Sequence, residues 1–205
     1  MVAMENKMPG FPDALGKRQH EHGVDRIFPR RWSPRAMSGE GITREELLKL
    51  FEAARWAPSS FNSQGWRFLY ALRETLHWDT FFGLLGDYNK VWCKNAAVLF
   101  AVVSKNTFDH NGKPNRTHSF TAGCAWENLA LQGSEAGLVV HAMQGFDYDR
   151  ARTELNIPDD YTVEIMAAVG RPGEAAELPD NLRARETPSD RKPVGEISCE
   201  GPFAF

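Results

Sequence analysis

The sequence predicts a mixed α/β fold, one layer of sheet with helices packed over it. Three observations carry that expectation. Thr43 and Glu46 form a capping box ahead of a helical stripe of Leu47, Leu48, Phe51 and Ala54. The segment AAVLFAVVS, residues 96–104, is a continuous apolar run rich in β-branched residues, the pattern of a central strand buried on both faces. Helical and strand-like segments alternate imperfectly along 205 residues, the length of one ordinary domain.

The elements follow in order. Residues 1–25 mix charge, Gly, Pro and His and predict a loose N-terminal arm. A single domain is expected over 26–205. It opens with Arg26, Arg30, Arg31 and Arg35 set around Pro29 and Pro34. The capped helix must stop near Trp56, because Pro58 disfavours helical geometry at Ala57. RFLYAL, 67–72, reads as a strand. LHWDTFFGLL, 76–85, puts Leu76, Trp78, Phe81, Phe82 and Leu85 mostly on one helical side. After the central strand, 105–116 is polar with a turn at Asn111-Gly112. A long helix is expected over 118–136, with Ala122, Ala125, Trp126, Leu129 and Ala130 on one face and Gly137 at its end. LVVHAM, 138–143, is a strand, DYDRARTEL, 147–155, a short helix closed before Pro158, and TVEIMAAVG, 162–170, a further strand. Residues 171–205 lack periodicity and predict an extended tail. A tail of that length is too long for a free loop, so it is expected to wrap another subunit.

Bulk properties exclude several functions. A net charge of −3 argues against general nucleic-acid binding, which needs a basic face. Hydrophobic residues make up 42%, enough for a core, yet no apolar run approaches the ~20 residues of a membrane helix. Cys93, Cys124 and Cys199 form no C-x-x-C pair and read as reduced thiols of a cytoplasmic protein. The N-terminus has no apolar core of a signal peptide. His20 and His22 lie in the arm, and His110 and His118 flank a loop, without the partners a metal needs. G-x-S-x-G, G-x-G-x-x-G and G-x-x-x-x-G-K-[ST] are all absent.

Two segments carry chemistry. In RRWSPR, Arg31, Trp32, Ser33 and Arg35 sit on a stretch stiffened by proline and tryptophan. Two planar guanidinium forks and a hydroxyl suit one phosphate monoester better than a polyanion track. In WAPSSFNSQGW, Pro58, Ser59, Ser60, Asn62, Ser63 and Gln64 lie between Trp56 and Trp66. A capped turn accounts for some of these polar groups. The full set, with donors and acceptors between aromatic walls, could surround the edge of a heterocycle.

Together, RRWSPR and, about 25 residues later, AARWAPSSFNSQGWRF resemble the flavin-dependent nitroreductase family. GDYNKVW, GCAWENLALQGSEAGL, MQGFD, AVGRPGE and PSDRKPVGEI match further family segments in order, so the resemblance spans roughly 26–200. It implies an α+β sandwich around a mixed, mostly antiparallel sheet, with a tail swapped between the subunits of a homodimer. It implies non-covalent FMN at shared active sites, NAD(P)H as electron donor and a small-molecule acceptor, in a ping-pong cycle. By the same resemblance Arg31, Ser33, Arg35 and Arg191 hold the phosphate and one flavin edge, and Trp32 belongs to that segment. Pro58, Ser59, Ser60, Asn62 and Gln64 reach the partner's flavin, and Asn89 meets its pyrimidine side. Gln144 and Gly145 present backbone N–H groups to the ring. No side chain stands out as a general acid or base. Gly65 departs from the family's proline, Trp32 from a smaller or basic residue, and the short loop 105–118 from lid helices. The alternative is a flavin protein of low turnover or specialised chemistry, such as enone or aldehyde reduction or dehalogenation. Phe203 and Phe205 are expected to be covered.

Overall fold

The computed structural model describes residues 14–205. Its first elements are two short helices, α1 (Ala14–Lys17) and α2 (Ile27–Arg30). Helix α3 (Arg44–Arg55) begins at the expected capping box: Thr43 Oγ1 accepts from Glu46 N at 3.1 Å, and the Glu46 carboxylate accepts from Thr43 N at 2.7 Å. Strand β1 (Trp66–Leu72) follows, then α4 (Trp78–Leu84), α5 (Asp87–Cys93) and β2 (Val98–Lys105). Helix α6 (His118–Glu135), β3 (Val139–Met143), α7 (Tyr148–Glu154), β4 (Tyr161–Gly170) and α8 (Asp180–Arg183) complete the order.

The sheet runs β1-β2-β4-β3, and each of these pairings is antiparallel. β2 is central and buried on both faces, as its apolar run predicts. One face packs against α3 and α6 through Leu47, Leu50, Phe100, Leu129 and Val140. The other packs against α4, α5 and α7 through Phe81, Trp92, Ala151 and Met166. The result is an α+β sandwich. Gly133 lets α6 lie close on β3, since a Cβ there would stand 2.3 Å from a Val140 methyl. A Schellman motif closes α6: Leu138 N donates to Gly133 O and Gly137 N to Ser134 O, with Gly137 at φ +72°.

Two segments differ from the sequence expectation. Ala14 and Arg18 are buried, so this part of the arm is packed; residues 1–13 of the arm lie outside the described residues. Leu76 is exposed because α4 starts only at Trp78. In the single chain the tail buries Leu178, Leu182 and Glu186, and Phe203 and Phe205 at its end are exposed, open to the covering expected of them.

Candidate functional site

The β4–β2 ladder contains a bulge. Val102 faces Ile165 but Val103 faces Val163, which leaves Glu164 as the extra residue. The strand ends set one rim of the sheet. Trp66 opens β1 opposite Ser104 at the end of β2, and β3 ends at Met143, opposite Met166. The segment 58–65 therefore enters the sheet at the rim where Gln144 and Gly145 leave it.

The arginine segment lies along α6. Arg31 Nε stands 3.4 Å from Glu127 and Arg30 Nη1 3.5 Å from Glu135, while Arg31 Nη1 donates to Ser33 Oγ at 3.3 Å. The buried Glu186 carboxylate fixes the turn after it, accepting from Arg35 N at 2.5 Å and Ala36 N at 2.8 Å. Its other oxygen lies 3.7 Å from the Arg35 guanidinium. Arg18 staples this segment to the tail. Its Nη1 donates to the carbonyls of Pro29 and Arg31, both at 2.7 Å, and its Nε to that of Ser189 at 2.8 Å. Burial first, then the charges of Arg191 and Arg31, push the Arg18 pKa down, a sign of the positive field here.

These contacts frame a cleft of about 470 Å³. Arg31, Trp32, Ser33, Arg35 and Arg191 line it, so the RRWSPR segment and the late Arg191, about 155 residues apart in sequence, meet there. His141, Arg185, Thr187 and Ser189 also line it and were not singled out. His141 Nδ1 lies 2.9 Å from the Pro34 carbonyl, which can only accept, so Nδ1 carries the hydrogen. Burial, opposed by that hydrogen bond, pushes the His141 pKa down to about 4. At neutral pH it is an uncharged wall beside four arginines.

The remaining sequence candidates do not line this cleft. Asn89, on α5, donates through Nδ2 to Gly145 O at 2.9 Å and accepts from Trp92 Nε1 at 3.2 Å. Gly86 N also donates to Gly145 O. Gly145 is needed here because a Cβ would stand 2.8 Å from Asn89 Nδ2. In the Trp56–Trp66 stretch, Phe61, Asn62 and Gln64 all have positive φ, near +50°. Three non-glycine residues in the left-handed region mark stored strain, which gathers at functional sites. Ser59 Oγ accepts from Gln64 N at 3.0 Å, and Ser60 Oγ bonds Thr117 Oγ1 at 2.7 Å, ahead of α6. Gln64 at φ +48° also suits a glycine at 65, since a proline there would disfavour α-like geometry in the residue before it.

Some site residues left no local signal in the sequence. Arg18 and Glu186 act across sequence separations of 171 and 151 residues, and Arg185 joins the cleft wall only in the fold. His141 had one clue, a polar residue inside an apolar strand. Among the described residues no group of His, Cys, Asp or Glu could hold a metal ion, and no helix is long and apolar enough to cross a membrane.

The family model described as the nitroreductase family matches residues 29–79 and 77–171. Protein DrgA of Synechocystis sp. is 30% identical over 202 residues, covering 85% of this chain and 94% of that protein. MhqN of Bacillus subtilis, whose name carries the term NAD(P)H nitroreductase, is 26% identical over 204 residues, covering 83% and 95%. A solved structure described as an oxidoreductase containing FMN shares 45% identity at a TM-score of 0.88, covering 91% of this chain and 96% of that one.

Proposed function

The chain belongs to the nitroreductase family, and from that premise we propose that it is an FMN-dependent oxidoreductase. It takes a hydride from NAD(P)H and passes it to a small acceptor such as a nitroaromatic or a quinone. The observation that carries this reading is the cleft, where Arg31, Arg35, Arg185 and Arg191 converge with Ser33, Thr187 and Ser189. The donor set fits a phosphate monoester: planar forks for its oxygens, hydroxyls between them and no carboxylate on the wall. The FMN-containing relative at 45% identity supports the same cofactor, and the MhqN name supports the nicotinamide donor.

In this reading Arg31, Ser33, Arg35 and Arg191 bind the phosphate, and Glu186 and Arg18 hold the first of those segments in place. FMN, when bound, would supply a site that holds one hydride, two electrons and a proton, between donor and acceptor. Gln144 and Gly145 bring backbone N–H groups to the ring where charge develops, and Asn89 braces that loop through the Gly145 carbonyl. Cationic side chains at the cofactor's edge favour its anionic reduced form. No residue of this chain is needed to accept the hydride.

We further propose a homodimer with shared sites in the cytoplasm. Pro58, Ser59, Ser60, Asn62 and Gln64 lie off the arginine cleft and would serve the partner's cofactor. Phe203 and Phe205, 86% and 61% exposed, are surfaces for the partner to cover. The direct test is to bleach the flavin-loaded protein with NADH or NADPH and reoxidise it with a panel of acceptors. Bleaching and reoxidation support the reading; a flavin that neither nicotinamide reduces refutes the donor assignment.

A further inference from the structure

At the rim where residues 58–65 enter and Gln144-Gly145 leave, a second polar cluster joins β2, β4 and α6. Ser104 Oγ donates to Glu164 Oε1, and Ser119 Oγ donates to the same oxygen at 2.7 Å. His118 Nδ1 lies 2.7 Å from Ser104 Oγ, 3.2 Å from Ser119 Oγ and 3.5 Å from Glu164 Oε1. Each hydroxyl has one hydrogen, and both are committed to the carboxylate. Nδ1 must therefore carry a hydrogen of its own and donate it to Ser104. The ring is fixed, and its chemistry is left to Nε2. Ser104 is 1% exposed, and the side chains of His118 and Glu164 are 23% and 20% exposed. The cluster is thus rooted in the core and open at the histidine.

Its position connects it to the stretch that, in the proposed dimer, serves the partner's cofactor. The residue before His118, Thr117, holds Ser60 at 2.7 Å within the strained stretch. The bulge sets Glu164 one residue beyond Ile165, level with the loop that follows Met143. The Glu164 charge also reaches the other side of that loop: burial first, then Glu164, holds the Tyr148 hydroxyl above its ordinary pKa.

We propose that His118, positioned by Ser104 and Glu164, is the proton donor to the acceptor at the partner's cofactor in the oxidative half of the cycle. The inference rests on the FMN oxidoreductase reading above. With a quinone acceptor the step balances as follows. The acceptor would receive a hydride, two electrons and a proton, and FMN would be the group oxidised. Negative charge collects on a quinone oxygen. A proton that Nε2 has first taken from water is passed on: the Nε2–H bond breaks, an O–H bond forms, and hydroquinone leaves. The neutral ring keeps its Nδ1 hydrogen on Ser104, and water restores the proton at Nε2. Glu164 offsets the ring charge through the Ser104 hydroxyl.

A purely structural role is the competing account. Thr117 makes no side-chain cap to α6 and the first turn of α6 has no acidic residue, so Glu164 could serve only that helix end. Two measurements separate the accounts. Heteronuclear NMR of the His118 ring in the full chain reads its tautomer. The neutral wild-type ring is expected to carry hydrogen on Nδ1 and to move to the Nε2 form in Ser104→Ala; hydrogen on Nε2 in the wild type overturns the proposal. Stopped-flow mixing of the reduced, flavin-loaded protein with benzoquinone reads the acceptor step. His118→Gln, or His118→Asn if the first folds poorly, is expected to slow it about 100-fold, the low end for a positioned general acid, while bleaching by the nicotinamide is unchanged. Glu164→Gln is expected to fall between them. An unchanged acceptor step in a variant that binds FMN and is bleached normally overturns this proposal alone. A protein that binds no FMN overturns the function it rests on as well.

Discussion

Glu186→Ala is the sharpest perturbation of the cleft that leaves every ligand-facing side chain in place. Glu186 is 3% exposed, and its Oε1 accepts from Arg35 N at 2.5 Å and Ala36 N at 2.8 Å. Its Oε2 is 3.7 Å from Arg35 Nη1. Truncation orphans two amides, at about 1–3 kcal/mol each when buried, and strips Arg35 of its counter-charge. The two costs overlap, so the total is about 3–5 kcal/mol, the usual cost of removing one partner from a buried pair. For a chain of this size that lowers Tm by about 6–20 °C, at about 2–4 °C per kcal/mol. Glu186→Gln keeps an oxygen for both amides and is expected to lose less than half as much. Denaturant unfolding of the three proteins, followed by tryptophan fluorescence, reads the difference. Equal midpoints for wild type and Glu186→Ala would refute the claim that this carboxylate anchors the arginine segment.

Three further outcomes follow from the same geometry. Arg35→Ala is expected to weaken FMN binding by about 1.5–3 kcal/mol, the worth of a charged hydrogen bond, and an unchanged Kd in a fluorescence titration contradicts its role. His141 has its folded pKa depressed from 6.5 to about 4, so the unfolded chain binds more protons between those values. Stability is therefore full above about pH 6.5 and is lost as pH falls toward about 4, by up to roughly 3 kcal/mol. His141→Asn, which keeps a donor for the Pro34 carbonyl, is expected to flatten that part of the unfolding profile; an identical slope contradicts the assignment. Gly145→Ala forces a Cβ to 2.8 Å from Asn89 Nδ2 and is expected to cost about 1–3 kcal/mol and to slow flavin bleaching, read by calorimetry and stopped flow.

What the sequence disclosed depended on how local each signal was. The capping box at Thr43 and Glu46, the apolar run of β2 and the glycine stop at Gly137 are written within a few residues, and each appears in the fold. Helix α5 was not legible: it has 7 residues, starts at Gly86 without a side-chain cap, and hides its buried face in Asn89, Trp92 and Cys93. In the cleft, Arg31, Ser33 and Arg35 share one stiff motif and could be seen together. Arg191 came only through resemblance, and Arg18, Arg185, Glu186 and His141 only through tertiary structure. Glu164 shows the limit most clearly. Strand alternation would set it opposite Ile165, and only the bulge turns both toward α6.

The central claim is that the arginine cleft and the sheet rim together hold FMN. Its most direct test is the absorption spectrum and extracted cofactor of the purified protein, with and without added FMN. The account predicts a yellow protein with an oxidised-flavin spectrum that releases FMN when unfolded. A colourless protein that gains no flavin spectrum on reconstitution contradicts it.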